Sequence, residues 1–364
     1  IKNASPETEC LMVSAVNEAK VAVDCLKKGA YDYLTKPLNR DDMVAAIRRA
    51  LERKRLLEVI AVVKSEAPPE MAPSKIPSAL VARSEKMLRL LKEAELYASI
   101  LVPLLITGQK GTGKETVARF IHESGSQKGG PFVVLDLEAL KGDQHMAALF
   151  GGENGGGHIE RARRGTLFFD EIGYLPSEAQ AMLLKAMQEN SFTRPGSNER
   201  CPLDTRLILS TRLDPEALVA RGELRKDLYY FIKGSTLILP TLRERKSDIP
   251  LLVEHFVGAY AGGRDIAVAQ DAMSTLCDYD FPGNITELET VVKEVLAGMT
   301  GGAITRESLP ESIRSKIRVK FLAGLPAPKE ILKTLNKDYL IRERWCPLEL
   351  VGNRIVVIID TLDD

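Results

Sequence analysis

The segment GQKGTGKE, residues 108–115, has the Gly-x-x-x-x-Gly-Lys spacing of a phosphate-binding loop. It follows the apolar run LVPLLIT and opens KETVARFIHES, whose apolar spacing predicts a helix. Glycines there let backbone N–H groups converge on phosphate oxygens, the helix N-terminus adds a favourable dipole, and Lys114 can reach the terminal phosphates. The predicted nucleotide site consists of Gly108, Gln109, Lys110, Gly111, Thr112, Gly113, Lys114 and Glu115.

A second motif, TLFFDE at residues 166–171, places two carboxylates at the end of an apolar run. The run predicts a buried strand, Asp170 is placed to hold the water shell of Mg²⁺, and Glu171 is placed to polarise an attacking water. Taken alone, the motif is equally typical of a strand that happens to end in acidic residues. Following a phosphate-binding loop, it predicts ATP and Mg²⁺ as the cofactors.

These motifs need a sheet to position them. PFVVLDL, GTLFFDE, TRLILST and STLILP read as buried strands, and helical segments alternate with them. One of these, SEAQAMLLKAMQEN, opens with the Ser-x-x-Gln pattern of a capping box at Ser177. Strands alternating with helices predict an α/β fold with a mainly parallel sheet, and the chain becomes helical after Pro240.

The flanking regions predict smaller units. Residues 1–53 alternate strand, helix, strand and helix, which is half of a doubly wound unit, and the four prolines of 64–77 indicate a linker. Another Pro/Gly joint precedes a predicted helix and two short strands around a Gly-Asn turn. We therefore divide the chain at 1–53, 54–78, 79–241, 242–316 and 317–364.

Composition restricts the function classes. The 50 basic and 50 acidic residues balance, without the basic excess typical of nucleic-acid binders, and the clusters RRALERKR and RARR read as solvated faces. The five cysteines have neither metal-site nor disulfide-framework spacing. No apolar run is long enough to span a bilayer and no signal pattern is present, so we expect a cytoplasmic protein. The abrupt start without Met suggests a fragment.

Several longer segments carry a family resemblance: GQKGTGKETVARFIHESG, LFFDEIGYLPSEAQAMLLKAMQE, RKDLYY, LPTLRERKSDIPLL and FPGNITELE. Over about residues 79–316 they closely resemble the AAA+ domain of sigma-54-dependent activators, the bacterial enhancer-binding proteins. Residues 1–53 resemble the C-terminal half of a flavodoxin-like receiver domain. The last 45 residues are weakly similar to part of the N-terminal domain of type II secretion or type IV pilus assembly ATPases.

The resemblance implies a P-loop AAA+ parallel sheet with a helical lid, preceded by half a receiver domain and followed by a small α/β module. It implies a homo-oligomeric ring, an upstream histidine kinase and a role in transcription regulation. Arg225 would be an arginine finger acting on the neighbouring subunit's ATP. In the receiver half, Ser14 would be the switch hydroxyl, Tyr33 the switch aromatic and Lys36 the phosphate-contacting lysine.

The sequence departs from the family pattern at several places. The GAFTGA loop, which contacts sigma-54 in the family, is absent, and the shorter GGENGGGHIE at 151–160 stands in its place. Without this loop we expect no firm sigma-54 contact. Nothing after residue 316 reads as a helix-turn-helix, so we expect no DNA-binding domain there. Four residues near the nucleotide also differ from the family pattern. Asp136 replaces the asparagine that restrains the catalytic glutamate, and Arg212 replaces the sensor-I asparagine. Phe231 replaces the second arginine finger, and Thr286 replaces a sensor arginine.

Three functional interpretations stay open. In the first, ATP acts as a conformational switch with weak or absent hydrolysis. In the second, the chain is an active ATPase that remodels a partner other than sigma-54, an interpretation favoured by the retained Asp170 and Glu171. In the third, it is a conventional sigma-54-dependent activator. The altered residues, the shortened loop and the expected repulsion between Asp136 and Glu171 favour the first.

Overall fold

The structure is a computed structural model. It describes residues 8–16, 21, 24–25, 28–38, 40, 43–44, 46–47, 50–51, 54, 80–142, 144–152, 155–196, 200–299, 302–314, 317–320, 349–351 and 354–360. The chain forms two compact units, one made of Ile1–Asp248 with Gly283–Ile285 and the other of Ile249–Pro282 with Thr286–Asp364. The predicted linker at 64–77 and the predicted C-terminal helix lie outside the described residues.

The strands are, in chain order, β1 Leu11–Ser14, β2 Asp32–Thr35, β3 Leu104–Thr107, β4 Phe132–Asp136, β5 Thr166–Asp170, β6 Ser191–Thr193, β7 Arg200–Pro202, β8 Arg206–Thr211, β9 Thr236–Ile238, β10 Ala267–Val268, β11 Ala303–Ile304, β12 Ile317–Lys320, β13 Glu349–Val351 and β14 Arg354–Asp360. The helices are α1 Glu85–Ala98, α2 Lys114–Ser124, α3 Gln144–Phe150, α4 His158–Arg161, α5 Ser177–Glu189, α6 Pro215–Arg221, α7 Lys226–Ile232, α8 Ile249–Tyr260, α9 Gln270–Asp278, α10 Asn284–Gly298 and α11 Glu311–Arg314.

A five-stranded parallel sheet organises the first unit, in the order β4-β5-β8-β3-β9. Its central strands β5, β8 and β3 are buried on both faces, as a parallel sheet covered by helices requires, while the edge strands β4 and β9 are partly exposed. Alternate residues enter opposite cores: Leu105 packs with one cluster, and Leu104 and Ile106 pack with the other. This sheet confirms the predicted α/β class, and its order places the end of β8 between those of β3 and β5.

Two helix starts show how side chains fix these elements. At α1, the hydroxyl of Ser84 accepts a hydrogen bond from the Met87 amide at 3.3 Å and caps the helix. At α5, the capping box predicted at Ser177 is wrong, because Pro176 occupies the cap and Ser177 is already helical. Gln180 instead donates its amide to the carbonyl oxygens of Leu175 and Glu223, at 2.6 and 2.8 Å.

The first unit continues past the predicted boundary at 241/242, as far as Asp248. This carboxylate is fully buried and accepts hydrogen bonds from the backbone amides of Arg83 and Ser84, at 2.6 and 2.5 Å. The Ser84 hydroxyl donates to its other oxygen at 2.9 Å. These contacts tie residues 242–248 to the start of α1, which explains why the structure divides the chain later than the apolar pattern indicates.

The second unit contains α8, α9 and α11, most of α10, and a short parallel pair formed by β10 and β11. It also includes an antiparallel sheet in the order β12-β14-β13. The hairpin of β13 and β14 was predicted around the Gly-Asn turn. Residues 317–320, at the start of the segment predicted as linker and small α/β module, form the strand β12, which pairs with β14. Local composition does not reveal this strand, because its partner is distant in the sequence. Among the described residues, no helix is both long and apolar enough to cross a membrane.

Replacing Asp248 with alanine tests the tie to α1. The substitution leaves the buried N–H of Ser84 and the part-buried N–H of Arg83 without their acceptor, so the free energy of unfolding should fall by about 2–4 kcal/mol. Glu85→Ala is the matched control, since Glu85 is exposed and pairs with Arg89, and its effect should stay within about 0.5 kcal/mol. Urea unfolding measures both variants. Equal losses would contradict the role given to Asp248.

Candidate functional site

The phosphate-binding loop connects β3 to α2, as its sequence predicts. Gly111 and Gly113 adopt positive φ values of 78° and 95°, which favour glycine, and α2 begins immediately afterwards at Lys114. The Thr112 hydroxyl donates to the carbonyl oxygen of Gln109 at 2.8 Å. The Lys114 side chain is 8% exposed, and its ammonium group donates to the Gly108 carbonyl oxygen at 3.1 Å. These hydrogen bonds fix the conformation of the loop.

The carboxylates at the end of β5 join this loop to β8. The ammonium group of Lys114 lies 3.4 Å from Glu171 Oε1, and the backbone amide of Arg212 donates to Glu171 Oε2 at 3.0 Å. Glu171 has a φ of 63° and donates its own amide to the Ser210 hydroxyl at 3.2 Å. Ser210 in turn donates to Asp170 Oδ1 at 2.8 Å. Three neighbouring strand ends thus meet at one buried carboxylate.

Two residues that the sequence did not single out also hold the loop. Asn284, buried and with a φ of 56°, accepts from the Leu242 amide at 2.8 Å and donates to the Lys110 carbonyl oxygen at 3.0 Å. Arg245, 2% exposed, donates to the Thr112 carbonyl oxygen at 2.6 Å, and burial lowers the pKa of its guanidinium. The Pro-Gly-Asn tripeptide that ends at Asn284 is the one sequence signal that could have suggested the role of Asn284.

The residues present fit a nucleotide phosphate with Mg²⁺. A Cβ added at Gly108 would lie 2.9 Å from Leu239 Cβ, so the loop can pack this closely against Leu239 only because the position is glycine. In the part of the chain that the structure describes, no group of three or more His, Cys, Asp or Glu side chains could form an all-protein metal site. Asp170 alone therefore matches a Mg²⁺ ion that keeps several waters and binds phosphate oxygens.

Two acidic residues expected near the nucleotide have other partners. Glu115 lies on the exposed face of α2, where its Oε1 accepts from Arg119 Nη2 at 2.7 Å. Asp136 is exposed at the end of β4, in register with Asp170. Its Oδ1 accepts from the backbone amides of Glu138 and Ala139, at 3.0 and 3.2 Å. The oxygens of Glu171 instead contact Lys114 and the Arg212 amide, so those contacts, and not Asp136, restrain it.

The predicted finger Arg225 precedes α7 and forms a bidentate pair with Asp227. Its Nε and Nη2 donate at 3.1 and 2.7 Å, which raises the pKa of the guanidinium. The side chain is 36% exposed. Phe231 packs, partly buried, against the apolar cluster on one face of the sheet. The Thr286 side chain is exposed in the second unit.

Arg212 belongs to an exposed polar cluster beside Glu171. Its Nη1 donates to Glu138 Oε2 at 3.1 Å and its Nη2 to the Tyr174 hydroxyl oxygen at 2.8 Å. Tyr174 donates to Glu138 Oε1 at 3.0 Å. The hydrogen bond from Arg212 lowers the pKa of Glu138, while Glu138 raises the pKa values of both Arg212 and Tyr174. Glu138 and Tyr174 thus hold the Arg212 guanidinium beside the site.

The glycine-rich segment forms a tight reversal between α3 and α4. Gly152 and Gly155 exchange backbone hydrogen bonds of 3.0 and 3.3 Å, and Gly151 has a φ of 80°. A Cβ at Gly157 would overlap the Leu149 carbonyl oxygen, so the return can be this close only with glycine. The segment therefore turns back at the position where the family carries its sigma-54-contacting loop.

The three receiver residues lie at one end of the parallel pair β1 and β2. Ser14 is in register with Thr35, and the Lys36 amide donates to the Ser14 carbonyl oxygen at 2.8 Å. The Ser14 hydroxyl accepts from the Val16 amide at 3.1 Å, and the Tyr33 hydroxyl donates to the Val16 carbonyl oxygen at 2.7 Å. The strands thus bring Ser14 and Lys36 to the same edge.

A phosphate-binding loop after β3, paired acidic residues after β5 and a helical lid define an AAA+ nucleotide-binding regulator of the P-loop class. Three family profiles match the chain: the sigma-54 interaction domain over residues 80–238, the AAA+ ATPase lid domain over 243–320 and the response regulator receiver domain over 1–48. The lid profile reaches beyond the boundary predicted at 316. The chain belongs to the family of sigma-54-dependent response regulators.

Similar proteins agree with this assignment. The DNA-binding transcriptional regulator NtrC of Rhizobium meliloti is 36% identical over 334 residues, covering 87% of this chain and 66% of that protein. The transcriptional regulatory protein ZraR of Escherichia coli is 38% identical, covering 86% and 72%. NtrX from Brucella abortus, crystallised with ATP, aligns with a TM-score of 0.62 at 30% identity, covering 92% and 73%. The chain therefore spans about two thirds to three quarters of these relatives.

Replacing Asn284 separates its hydrogen bonds from its backbone conformation. Asn284→Gly permits the positive φ but removes the contacts to Leu242 and Lys110, so the free energy of unfolding should fall by about 1–3 kcal/mol. Asn284→Ala adds backbone strain of about 1 kcal/mol or more. In both variants, amide hydrogen exchange of residues 108–113 should accelerate. Unchanged exchange in that segment would show that Asn284 does not hold the loop.

Proposed function

We propose that this chain binds ATP with Mg²⁺ at residues 108–115 and uses the nucleotide as a conformational switch, with weak or no hydrolysis. The glycine loop, the buried Lys114 and the paired carboxylates support binding. The NtrX structures, crystallised with ATP and with ADP, support nucleotide binding. The family of transcriptional regulators supports a role in two-component signalling and transcription control in the cytoplasm.

Each group at the site has a distinct task in this proposal. The loop amides and Lys114 bind phosphate oxygens, and Asp170 orients the Mg²⁺ water shell. The metal, when bound, neutralises phosphate charge. Glu171 would orient a water as a general base, and its two oxygens also interact with Lys114 and with the Arg212 amide. Each carboxylate oxygen can accept more than one hydrogen bond, so these partners restrain the carboxylate and leave it able to orient a water.

The observation that supports weak hydrolysis is the presence of Phe231 at a position where the family has an arginine. The family places a second arginine at this position, whereas Phe231 packs against the apolar cluster and offers no positive charge. Arg225, the retained finger, is paired with Asp227 two residues along. An arginine finger contributes about 10³–10⁵ in rate where it has been measured, so the loss of one is large.

We further propose a homo-oligomeric ring through the AAA+ domain and input from a histidine kinase through the receiver half, with Ser14, Tyr33 and Lys36 as switch residues. The tight turn at Gly151–Gly157 argues against a sigma-54 contact of the usual kind, because it leaves no projecting arm. The retained Asp170 and Glu171 favour the alternative of an active ATPase that remodels another partner. A conventional sigma-54-dependent activator is the remaining alternative.

Nucleotide binding is tested by thermal unfolding of the full chain. With ATP·Mg²⁺ at about 100 times its dissociation constant, the melting temperature should rise by about 5–10 °C. Lys114→Ala should abolish this rise, because it removes the buried cation that reaches the phosphates. Lys185→Ala, which removes an exposed lysine of α5, is the control and should retain the full rise. An unchanged rise in Lys114→Ala would rule out the proposed site.

Turnover is tested by steady-state phosphate release at protein concentrations that permit ring assembly. We expect a rate at least about 10³-fold below that of an enzyme with both arginine fingers. Any residual rate should fall further in Glu171→Gln, which removes the general base. Rapid release that Glu171→Gln abolishes would refute the switch and support the active ATPase. Binding of sigma-54 with a transition-state nucleotide analogue would support the conventional activator.

A further inference from the structure

Arg206, the first residue of β8, is a buried cation without a carboxylate partner in the described part of the chain. The residue is 2% exposed, and its guanidinium lies at the C-terminal end of α1. Its Nη1 donates to the Ala98 carbonyl oxygen at 3.2 Å, and its Nη2 donates to the Tyr97 carbonyl oxygen at 2.6 Å. Its buried Nε has no hydrogen-bond partner among the described residues. Burial lowers the pKa of Arg206 to about 10, because the charged guanidinium loses its water.

Two other buried cations of the same unit interact with carboxylates. Lys114 lies 3.4 Å from Glu171, and Arg245 interacts electrostatically with Asp248. A buried charge without such a partner is strongly unfavourable. The carbonyl groups at the end of a helix supply only about half a negative elementary charge, so the end of α1 balances Arg206 in part. The Arg206 guanidinium therefore keeps the capacity to bind an anion.

Arg206 lines a cavity of about 440 Å³ at the amino ends of β3 and β8. The wall of the cavity combines hydroxyl groups with apolar side chains, among them Ser99, Ser126, Leu101 and Phe231. Cavities of about 300–1,000 Å³ with apolar walls and a few polar groups are typical of small-molecule sites. The phosphate-binding loop follows the carboxyl end of β3, so in this parallel sheet it lies at the opposite edge. The cavity is therefore separate from the nucleotide site.

The other charged groups near the cavity leave it attractive to an anion. Asp204 also lines the cavity, but its Oδ2 lies 3.4 Å from Arg164 Nε and 3.9 Å from Arg163 Nε. The Asp204 side chain is 42% exposed, so solvent screens its charge as well. His122 is buried and interacts electrostatically with Arg206, and burial and this interaction both lower the pKa of its imidazole. Arg206 is thus the least compensated charge on the cavity wall.

We propose that this cavity is a second ligand site, which binds a small organic anion with an apolar body and one carboxylate or phosphate group. The anionic group pairs with Arg206, and the apolar side chains of the wall contact the body of the ligand. A guanidinium has five N–H donors, and the carbonyl oxygens of α1 accept from two of its nitrogens. Its planar arrangement of donors suits carboxylate and phosphate oxygens alike. The proposal does not depend on nucleotide binding, because the two sites lie at opposite edges of the sheet.

The first test compares three probes of similar shape with the full chain, by calorimetric titration: benzoate, phenyl phosphate and the neutral benzamide. At least one of the two anions should bind about tenfold or more tightly than benzamide, because only an anion pairs with Arg206. The tighter of the two anions identifies the anionic group. Hydrogen exchange should slow in residues 99–103 and 203–207 and stay unchanged in 108–115. Equal affinity for all three probes, or protection confined to 108–115, would overturn the proposal.

The second test uses variants of the two charged residues that line the cavity. Arg206→Met keeps the length of the side chain and removes its charge, so it should weaken binding of the tighter anion about tenfold or more. Asp204→Asn removes the nearby negative charge and should strengthen binding about two- to fivefold. Glu223→Gln is the matched control, since Glu223 is 45% exposed and pairs with Arg221 at 2.9 Å. It should change the dissociation constant less than twofold.

Three outcomes would contradict the site: full affinity in Arg206→Met, no strengthening in Asp204→Asn, or an equal gain in Glu223→Gln. Thermal unfolding verifies that each variant is folded. Asp204 is partly exposed, so its variant tests the proposal even where Arg206→Met does not fold.

Discussion

The nucleotide site depends on one buried ion pair, between Lys114 and Glu171. Taking either charge out of water alone would cost several kcal/mol, so each compensates for the burial of the other. The pair can form only because β8 lies between β3 and β5, which brings the loop after β3, the carboxylates after β5 and the Arg212 amide to one edge. The strand order is therefore the constraint from which the geometry of the site follows. A bound phosphate would be a second anion for Lys114, beside Glu171.

Burial separates the core of the site from its rim. Lys114 and Glu171 are less than 10% exposed, and their environment is fixed by the sheet and by Asn284 and Arg245. Arg212 and Arg225, at 26% and 36%, lie at the rim and have local carboxylate partners. A substitution in the buried part disturbs packing and leaves a charge uncompensated, whereas a rim substitution changes few contacts. We therefore expect substitutions at the rim to disturb the buried core of the site little.

Much of this arrangement was predictable because its signals are local. Buried parallel strands read as continuous apolar runs, and the glycine spacing of the P-loop identifies its place between strand and helix. The failures concern partners far apart in the chain. The hydrogen bond from Asn284 to Lys110 spans 174 residues, and that from Arg245 to Thr112 spans 133. The strand β12 likewise forms only by pairing with the distant strand β14. The Ser177 capping box failed for a local reason, since Pro176 already occupied the cap.

The turn at Gly151–Gly157 bears on what the chain does and not on the family to which it belongs. The sheet and the phosphate loop assign the chain to its family, but function resides in the sites that a fold carries. Here the backbone bonds between Gly152 and Gly155 close the segment, and the carbonyl oxygen of Leu149 leaves no room for a side chain at Gly157. A longer arm therefore could not be accommodated by side-chain substitution alone and would need inserted residues. The phosphate loop follows β3 and the turn lies between α3 and α4, so the two are separate features of the fold.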